Sequence, residues 1–241
     1  MDSTTIQNQS PPLFQCENLS KYYGNVPALN GLNLTIPRGR IVGLLGPNGS
    51  GKTTLIKMIA GILTPTKGMI RVNGHPIGVT TKKSVSYLPE RTYFEGGQRV
   101  ADTIEFFRDF YDDFDIDRAY DLLGRLSIPL DTRFHALSKG TKEKLQLILV
   151  MSRRADLYLL DEPIAGVDPA ARDFILDIVL RNYDRKASIL LSTHLIYDIE
   201  SVLDDAIFLA RGQLYLADTC ENIRRNTGNT VDHLFREVFR C

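Results

Sequence analysis

One stretch, Gly46 to Thr53, constrains this chain more than any other: Gly-Pro-Asn-Gly-Ser-Gly-Lys-Thr fits the pattern G-x-x-x-x-G-K-S/T. The pattern gains meaning from its flanks. The apolar run Ile41-Val42-Gly43-Leu44-Leu45 precedes it and predicts a buried strand, and the stretch from Thr54 to Ile62 follows with helical periodicity. Gly46, Gly49 and Gly51 let the backbone curl until several N–H groups point inward. The N–H groups and positive dipole end of the following helix add to them. With Pro47, Asn48, Ser50 and Thr54 completing it, such a loop cradles polyphosphate. Lys52 is placed to reach the β- and γ-phosphates, and the Thr53 hydroxyl to give an oxygen to Mg²⁺. The plainer reading is a glycine-rich turn in an ordinary α/β domain, and the strand before and helix after argue against it.

At 241 residues the chain is long enough to bury a sizeable core. Residues 1–12 are polar, without a basic and then apolar lead-in, and are expected to be a disordered tail; residues 13–241 are expected to form a single domain. Lys and Arg total 29 and Asp and Glu total 29, so bulk charge gives no sign of nucleic-acid binding. Cys16, Cys220 and Cys241 lie far apart and lack metal-ligand spacing, which indicates neither a disulfide framework nor a zinc site. No apolar stretch approaches the roughly 20 residues that cross a bilayer. The best of them, Leu145 to Met151, is cut off by Arg153 and Arg154.

Ahead of the glycine-rich loop, Phe14 to Leu19 and Leu32 to Ile36 alternate apolar and polar residues and predict an antiparallel layer. Between them, Lys21-Tyr22-Tyr23-Gly24 offers a ring able to stack on an adenine base, although tyrosines at a strand end serve equally as amphipathic surface. Beyond the first helix come a strand from Met69 to Val72 with the hairpin signal Asn73-Gly74, and a short strand from Ser84 to Leu88 that ends at Pro89-Glu90. From Val100 to Leu126 apolar residues recur every three or four positions. They predict a helical subdomain, at about residues 91–136, whose aromatics form its core or a docking surface.

Leu137-Ser138-Lys139-Gly140-Thr141 opens another helix, and Lys139, Lys142 and Lys144 sit at the end where the macrodipole favours acids. A bound anion resolves that conflict, and so does ordinary solvation. Leu157 to Leu160 is a continuous apolar run of the buried parallel-strand kind and leads into Asp161-Glu162. Carboxylates at that edge lie where α/β folds bind ligands. Asp161 suits Mg²⁺, and Glu162 suits taking a proton from an attacking water. Asp168 and Pro169 read as a helix N-cap and first helical residue. A further buried strand from Ser188 to Leu191 delivers His194 to the same sheet edge, within reach of a γ-phosphate.

In this order the motifs resemble the nucleotide-binding subunit of an ATP-binding cassette (ABC) transporter, from about Phe14 to about Leu216. The resemblance implies an α/β fold, a P-loop NTPase of the ABC-ATPase type with a RecA-like core, an antiparallel β layer and a small helical subdomain. It implies ATP and Mg²⁺ as cofactors. By resemblance Tyr23 is the adenine-stacking aromatic, Ser138 and Gly140 belong to the signature, Glu162 is the catalytic base of the Walker B strand, Asp168 lies in the D-loop and His194 is the switch histidine. It implies a homodimer of cassettes facing head to tail, each signature closing on the ATP held by the other. It also implies a separately encoded transmembrane subunit, which would bring this chain to the cytoplasmic face of the membrane as a peripheral ATPase. Two positions depart from the family pattern. Glu90 stands where most cassettes carry Gln, and the signature reads Leu-Ser-Lys-Gly-Thr where Leu-Ser-Gly-Gly-Gln is usual. Both departures look like those of bacterial exporters of drugs and amphipathic peptides. A soluble cassette ATPase of cofactor assembly and a nucleotide-gated binding module without turnover stay open as other readings. Intact Lys52, Glu162 and His194 stand against the second.

Overall fold

The computed structural model describes residues 11–91, 94, 96–165, 167 and 169–239. In chain order its elements are β1 (Phe14–Tyr23), β2 (Val26–Ile36), β3 (Ile41–Leu45), α1 (Lys52–Ile59), β4 (Lys67–Val72), β5 (His75–Pro76), α2 (Val79–Ser84) and β6 (Val85–Leu88). There follow α3 (Val100–Phe110), α4 (Ile116–Arg125), α5 (Lys139–Met151), β7 (Leu157–Asp161), α6 (Pro169–Arg181), β8 (Ser188–Thr193), α7 (Ile196–Ile199), β9 (Asp205–Ala210), β10 (Gln213–Thr219), α8 (Cys220–Thr227) and α9 (Val231–Phe239).

Two sheets result. The first is antiparallel, in the order β2-β1-β4-β5; the second has six strands in the order β10-β9-β3-β8-β7-β6. Within it β9, β3, β8, β7 and β6 run parallel, and β10 closes one edge antiparallel to β9. The central strands β3, β7 and β8 are buried along their whole length because both of their faces are covered, and their polar residues, Asp161, Ser188, Ser192 and Thr193, sit at the strand ends. Strand side chains alternate sides, and the buried clusters divide accordingly. Val42, Leu44, Leu157, Leu159 and Leu190 join Leu29, Ile36, Leu55 and Ile59 under the antiparallel layer and α1. Ile41, Leu45, Tyr158, Leu160, Ile189 and Leu191 join Ile148, Ile175 and Phe208 on the other face.

The helical periodicity from Val100 to Leu126 is divided between α3 and α4. Asp115 ends the continuity by capping α4, its carboxylate accepting from the Arg118 N–H at 3.1 Å. Ile104, Phe107, Ala119, Leu122 and Leu123 from these helices share one buried cluster with Ile148 and Tyr158, so the helical layer is joined to the sheet through α5. Among the described residues no helix is long and apolar enough to cross a membrane.

Candidate functional site

The loop from Gly46 to Gly51 joins β3 to α1, at the carboxyl edge of the parallel strands, where open α/β sheets bind ligands. Its glycines are required by contact as well as by curvature. A Cβ on Gly46 would lie 2.5 Å from both the Leu209 carbonyl and Ser50 Oγ, and one on Gly51, at φ 106°, would lie 2.6 Å from the Ala28 carbonyl. Lys52 is almost fully buried. Its Nζ donates to the Gly46 carbonyl at 2.7 Å and the Pro47 carbonyl at 3.3 Å, and lies 4.0 Å from Glu162 Oε1. Burial pulls its ammonium below the usual lysine range, against the opposing pull of Glu162, Asp161 and Glu90.

Asp161 ends β7 in register with Ser192 of β8. Its Oδ1 accepts from Ser192 Oγ at 2.7 Å and Thr53 Oγ1 at 3.2 Å, while its buried Oδ2 has no hydrogen-bond partner among the described residues. Burial raises the Asp161 carboxyl above the ordinary range, in spite of the two hydroxyls that favour its charged form. Glu162 leaves the sheet in the left-handed region at φ 53°. That conformation costs a non-glycine residue roughly 1–3 kcal/mol and persists only where the surroundings over-determine it. Here the Glu162 N–H donates to the Ser192 carbonyl and Ser192 Oγ, both at 3.1 Å. Glu162 Oε2 then meets His194 Nδ1 at 3.0 Å.

These groups face a cavity of about 490 Å³, a suitable size for a nucleotide, lined by Ala28, Ala165, the residues from Asn48 to Thr54, Glu90, Glu162 and His194. Ten residues singled out in the sequence thus meet on one cavity wall, and Asp161 lies directly behind it. Gly46 and Pro47 are represented by the carbonyls that hold Lys52. Tyr23, Ser138 and Gly140 are exposed and do not line this cavity. Asp168 lies outside the described residues. The lysine cluster at the start of α5 has neighbours of its own: Lys139 lies 3.9 Å from Glu143, and Lys142 donates to the His135 carbonyl at 3.4 Å. No bound anion is needed to account for those two. Ser138 Oγ caps α5 by accepting from the Thr141 N–H at 3.2 Å.

Ser192 is the residue that sequence reasoning passed over. Its hydroxyl donates to the Asp161 carboxylate and accepts from the Glu162 N–H, and the available signal was a hydroxyl at the end of a buried strand two positions before His194.

A glycine-bearing phosphate loop between β3 and α1, with a strand-end acid bonded to the threonine that follows its lysine, defines a P-loop NTPase. Its mixed α/β core with an added antiparallel sheet narrows the class to the ABC ATPases. The chain belongs to the ABC transporter family, whose pattern matches residues 29–165. It is 33% identical over 208 residues to the ABC transporter ATP-binding protein YtrB of Bacillus subtilis (strain 168), covering 84% of this chain and 70% of YtrB. Against the SkfA peptide export ATP-binding protein SkfE of the same organism identity is also 33% over 208 residues, covering 84% of this chain and 87% of SkfE. A solved ATP-binding subunit of an ABC transporter superposes with a TM-score of 0.84 at 29% identity, over 94% of this chain and 99% of that one. The chain is an ATP-binding subunit of this family, and its enzymatic activity is ATP hydrolysis.

Proposed function

We propose that this chain is the ATPase of an exporter, that it pairs with a second copy when ATP binds, and that it drives a separately encoded transmembrane subunit from the cytoplasmic face of the membrane. The observation that carries the catalytic part is the position of Glu162, whose two carboxylate oxygens reach Lys52 on one side and His194 on the other across the 490 Å³ cavity. The loop N–H groups and the start of α1 bind the phosphates, and Lys52 exchanges its carbonyl contacts for the β- and γ-phosphate oxygens. Glu162 accepts a proton from the water that attacks the γ-phosphorus, while the bond from that phosphorus to the bridging oxygen breaks and ADP leaves. His194 holds the Glu162 carboxylate through Nδ1 and turns its remaining ring nitrogen to the γ-phosphate.

The donor set suits Mg²⁺. The Thr53 hydroxyl and the unpartnered Asp161 Oδ2 are hard oxygen donors beside the loop, and Glu90 supplies a third from the cavity wall. When bound, Mg²⁺ neutralises charge on the β- and γ-phosphate oxygens.

Support for a membrane partner comes from a second cavity of about 990 Å³ between α1, β6 and α3. It is lined mainly by apolar groups including Val79, Phe106, Phe107 and Phe110. Phe106 and Phe110 are more than half exposed, and an exposed apolar group with Lys82, Lys83 and Arg91 beside it fits a docking surface. The peptide-export relative supports the outward direction of transport.

Replacing Glu162 with Gln tests the catalytic assignment. The amide keeps the shape and loses the base, so ATP binding is retained and hydrolysis falls by about 100-fold or more. Steady turnover near that of the parent removes Glu162 from this role.

A further inference from the structure

We propose that Arg172 is a positioning residue for hydrolysis, a clamp that holds the loop carrying Glu162 against the loop carrying His194. The inference rests on the roles given above to those two residues. The β7 and β8 strands are held together by their ladder as far as Asp161 and Ser192, and the Glu162 N–H makes the last backbone bond between them, to the Ser192 carbonyl. Beyond that point the chains diverge, one toward α6 and the other toward α7, and the catalytic carboxylate and imidazole meet in the opening.

Arg172, on the first turns of α6, spans this opening. Its Nε donates to the Val167 carbonyl at 3.0 Å, and its Nη1 donates to Asp198 Oδ2 at 2.6 Å. One guanidinium therefore grips the end of the loop that starts at Glu162 and the short helix that starts two residues after His194. Both side chains are about three-quarters buried, with 25% and 28% of their side-chain surface exposed. A charge-assisted bond of that length in partial shelter from water is stronger than a neutral one and less screened than a surface pair.

Each gripped segment carries local hydrogen bonds that link it back toward the reacting groups. On one side Ala165 N–H bonds the Glu162 carbonyl at 3.2 Å and Val167 N–H bonds the Ile164 carbonyl at 3.4 Å. On the other, Leu195 N–H bonds Thr193 Oγ1 at 3.0 Å and carries the chain directly from His194 into α7. The left-handed backbone at Glu162 needs surroundings that over-determine it, and the clamp is one of the restraints that do so. Arg172 has no place in the lining of the nucleotide cavity, so it acts through the geometry of others.

The test is steady-state ATP hydrolysis by the full chain with Arg172→Met, Asp198→Asn, the double variant and the conservative Asp198→Glu, each first checked for cooperative thermal unfolding. With the clamp, each of the first two lowers kcat by about tenfold while KM for ATP stays within about twofold, because misplacing catalytic groups weakens the transition state and leaves phosphate binding intact. The double variant falls no further than the worse single one, since either change opens the same link. Asp198→Glu keeps most of the parent rate. Parental kcat in Arg172→Met or in Asp198→Asn, losses that multiply in the double variant, or a raised KM at unchanged kcat overturns the proposal. If Arg172→Met does not fold, Asp198→Asn and Asp198→Glu still decide it. Glu162→Gln, run alongside, keeps the two questions apart. Full activity there overturns the catalytic assignment, whereas an inactive Glu162→Gln beside a fully active Arg172→Met overturns the clamp alone.

Discussion

Glu90 is the position where the sequence departs from the Gln that its family resemblance implies, an acid in place of an amide. It follows β6 directly after Pro89 and lines the same cavity as Thr53, which on the proposed reading makes its carboxylate a third donor to Mg²⁺ beside Thr53 and Asp161. A charged oxygen is a better ligand for a hard cation than an amide carbonyl. Glu90→Gln is therefore expected to raise the Mg²⁺ concentration for half-maximal ATPase activity roughly threefold to tenfold; an unchanged Mg²⁺ titration overturns a metal role for Glu90. The residues that meet on the cavity wall were legible in the sequence because their placement follows from two local facts, strand ends on one sheet edge and a loop of fixed spacing. Ser192 was not. Its hydroxyl matters only because the β7–β8 register sets it opposite Asp161 and beneath the Glu162 N–H, and no local pattern encodes register between strands about 30 residues apart. For the lysines of α5 the sequence leaves an anion and solvation equally open because the helix dipole is local, whereas the Glu143 carboxylate and His135 carbonyl that engage two of them depend on the side-chain directions.

Among the elements, the end of α5 is tied down more firmly than its sequence suggests. Arg153 is 4% exposed and pairs bidentately with Asp113, Nε to Oδ1 and Nη2 to Oδ2, both at 3.0 Å. The same guanidinium donates at 2.7 Å to the Val85 and Lys83 carbonyls and lies 4.0 Å from the Tyr111 ring centre. It thus joins α5, the connection between α3 and α4, and the start of β6, the strand that leads to Glu90. The sequence showed only two basic residues ending an apolar run, since its acid partner lies 40 residues away. Removing the buried Arg153 takes the guanidinium away from the partly buried Asp113 carboxylate and from the Val85 and Lys83 carbonyls together. Arg153→Met is expected to lower unfolding stability in urea by about 3–5 kcal/mol, and adding Asp113→Asn is expected to cost less than the sum of the single changes. A loss below about 1 kcal/mol for Arg153→Met would show that water replaces the network.

At the scale of the whole molecule, the decisive fact is what the nucleotide cavity does not include. Ser138 and Gly140 are exposed at the start of α5, and neither lines the cavity of its own chain. If these residues contact nucleotide, they contact one held by another copy, which places ATP between two chains and makes association depend on its γ-phosphate. That follows from linkage: a ligand shared by two surfaces stabilises their complex by its differential affinity for the paired state. On the proposed reading Glu162→Gln is expected to retain ATP without hydrolysing it and so to isolate a paired state. In sedimentation with ATP and Mg²⁺ the variant is expected to run at twice its monomer mass, and with ADP to return to the monomer. Adding Ser138→Arg, which sets a bulky charge on the exposed turn without touching the chain's own cavity, is expected to keep ATP binding and abolish the dimer. A monomeric Glu162→Gln at saturating ATP overturns pairing through the nucleotide, and a dimer that survives Ser138→Arg moves the contact away from the start of α5.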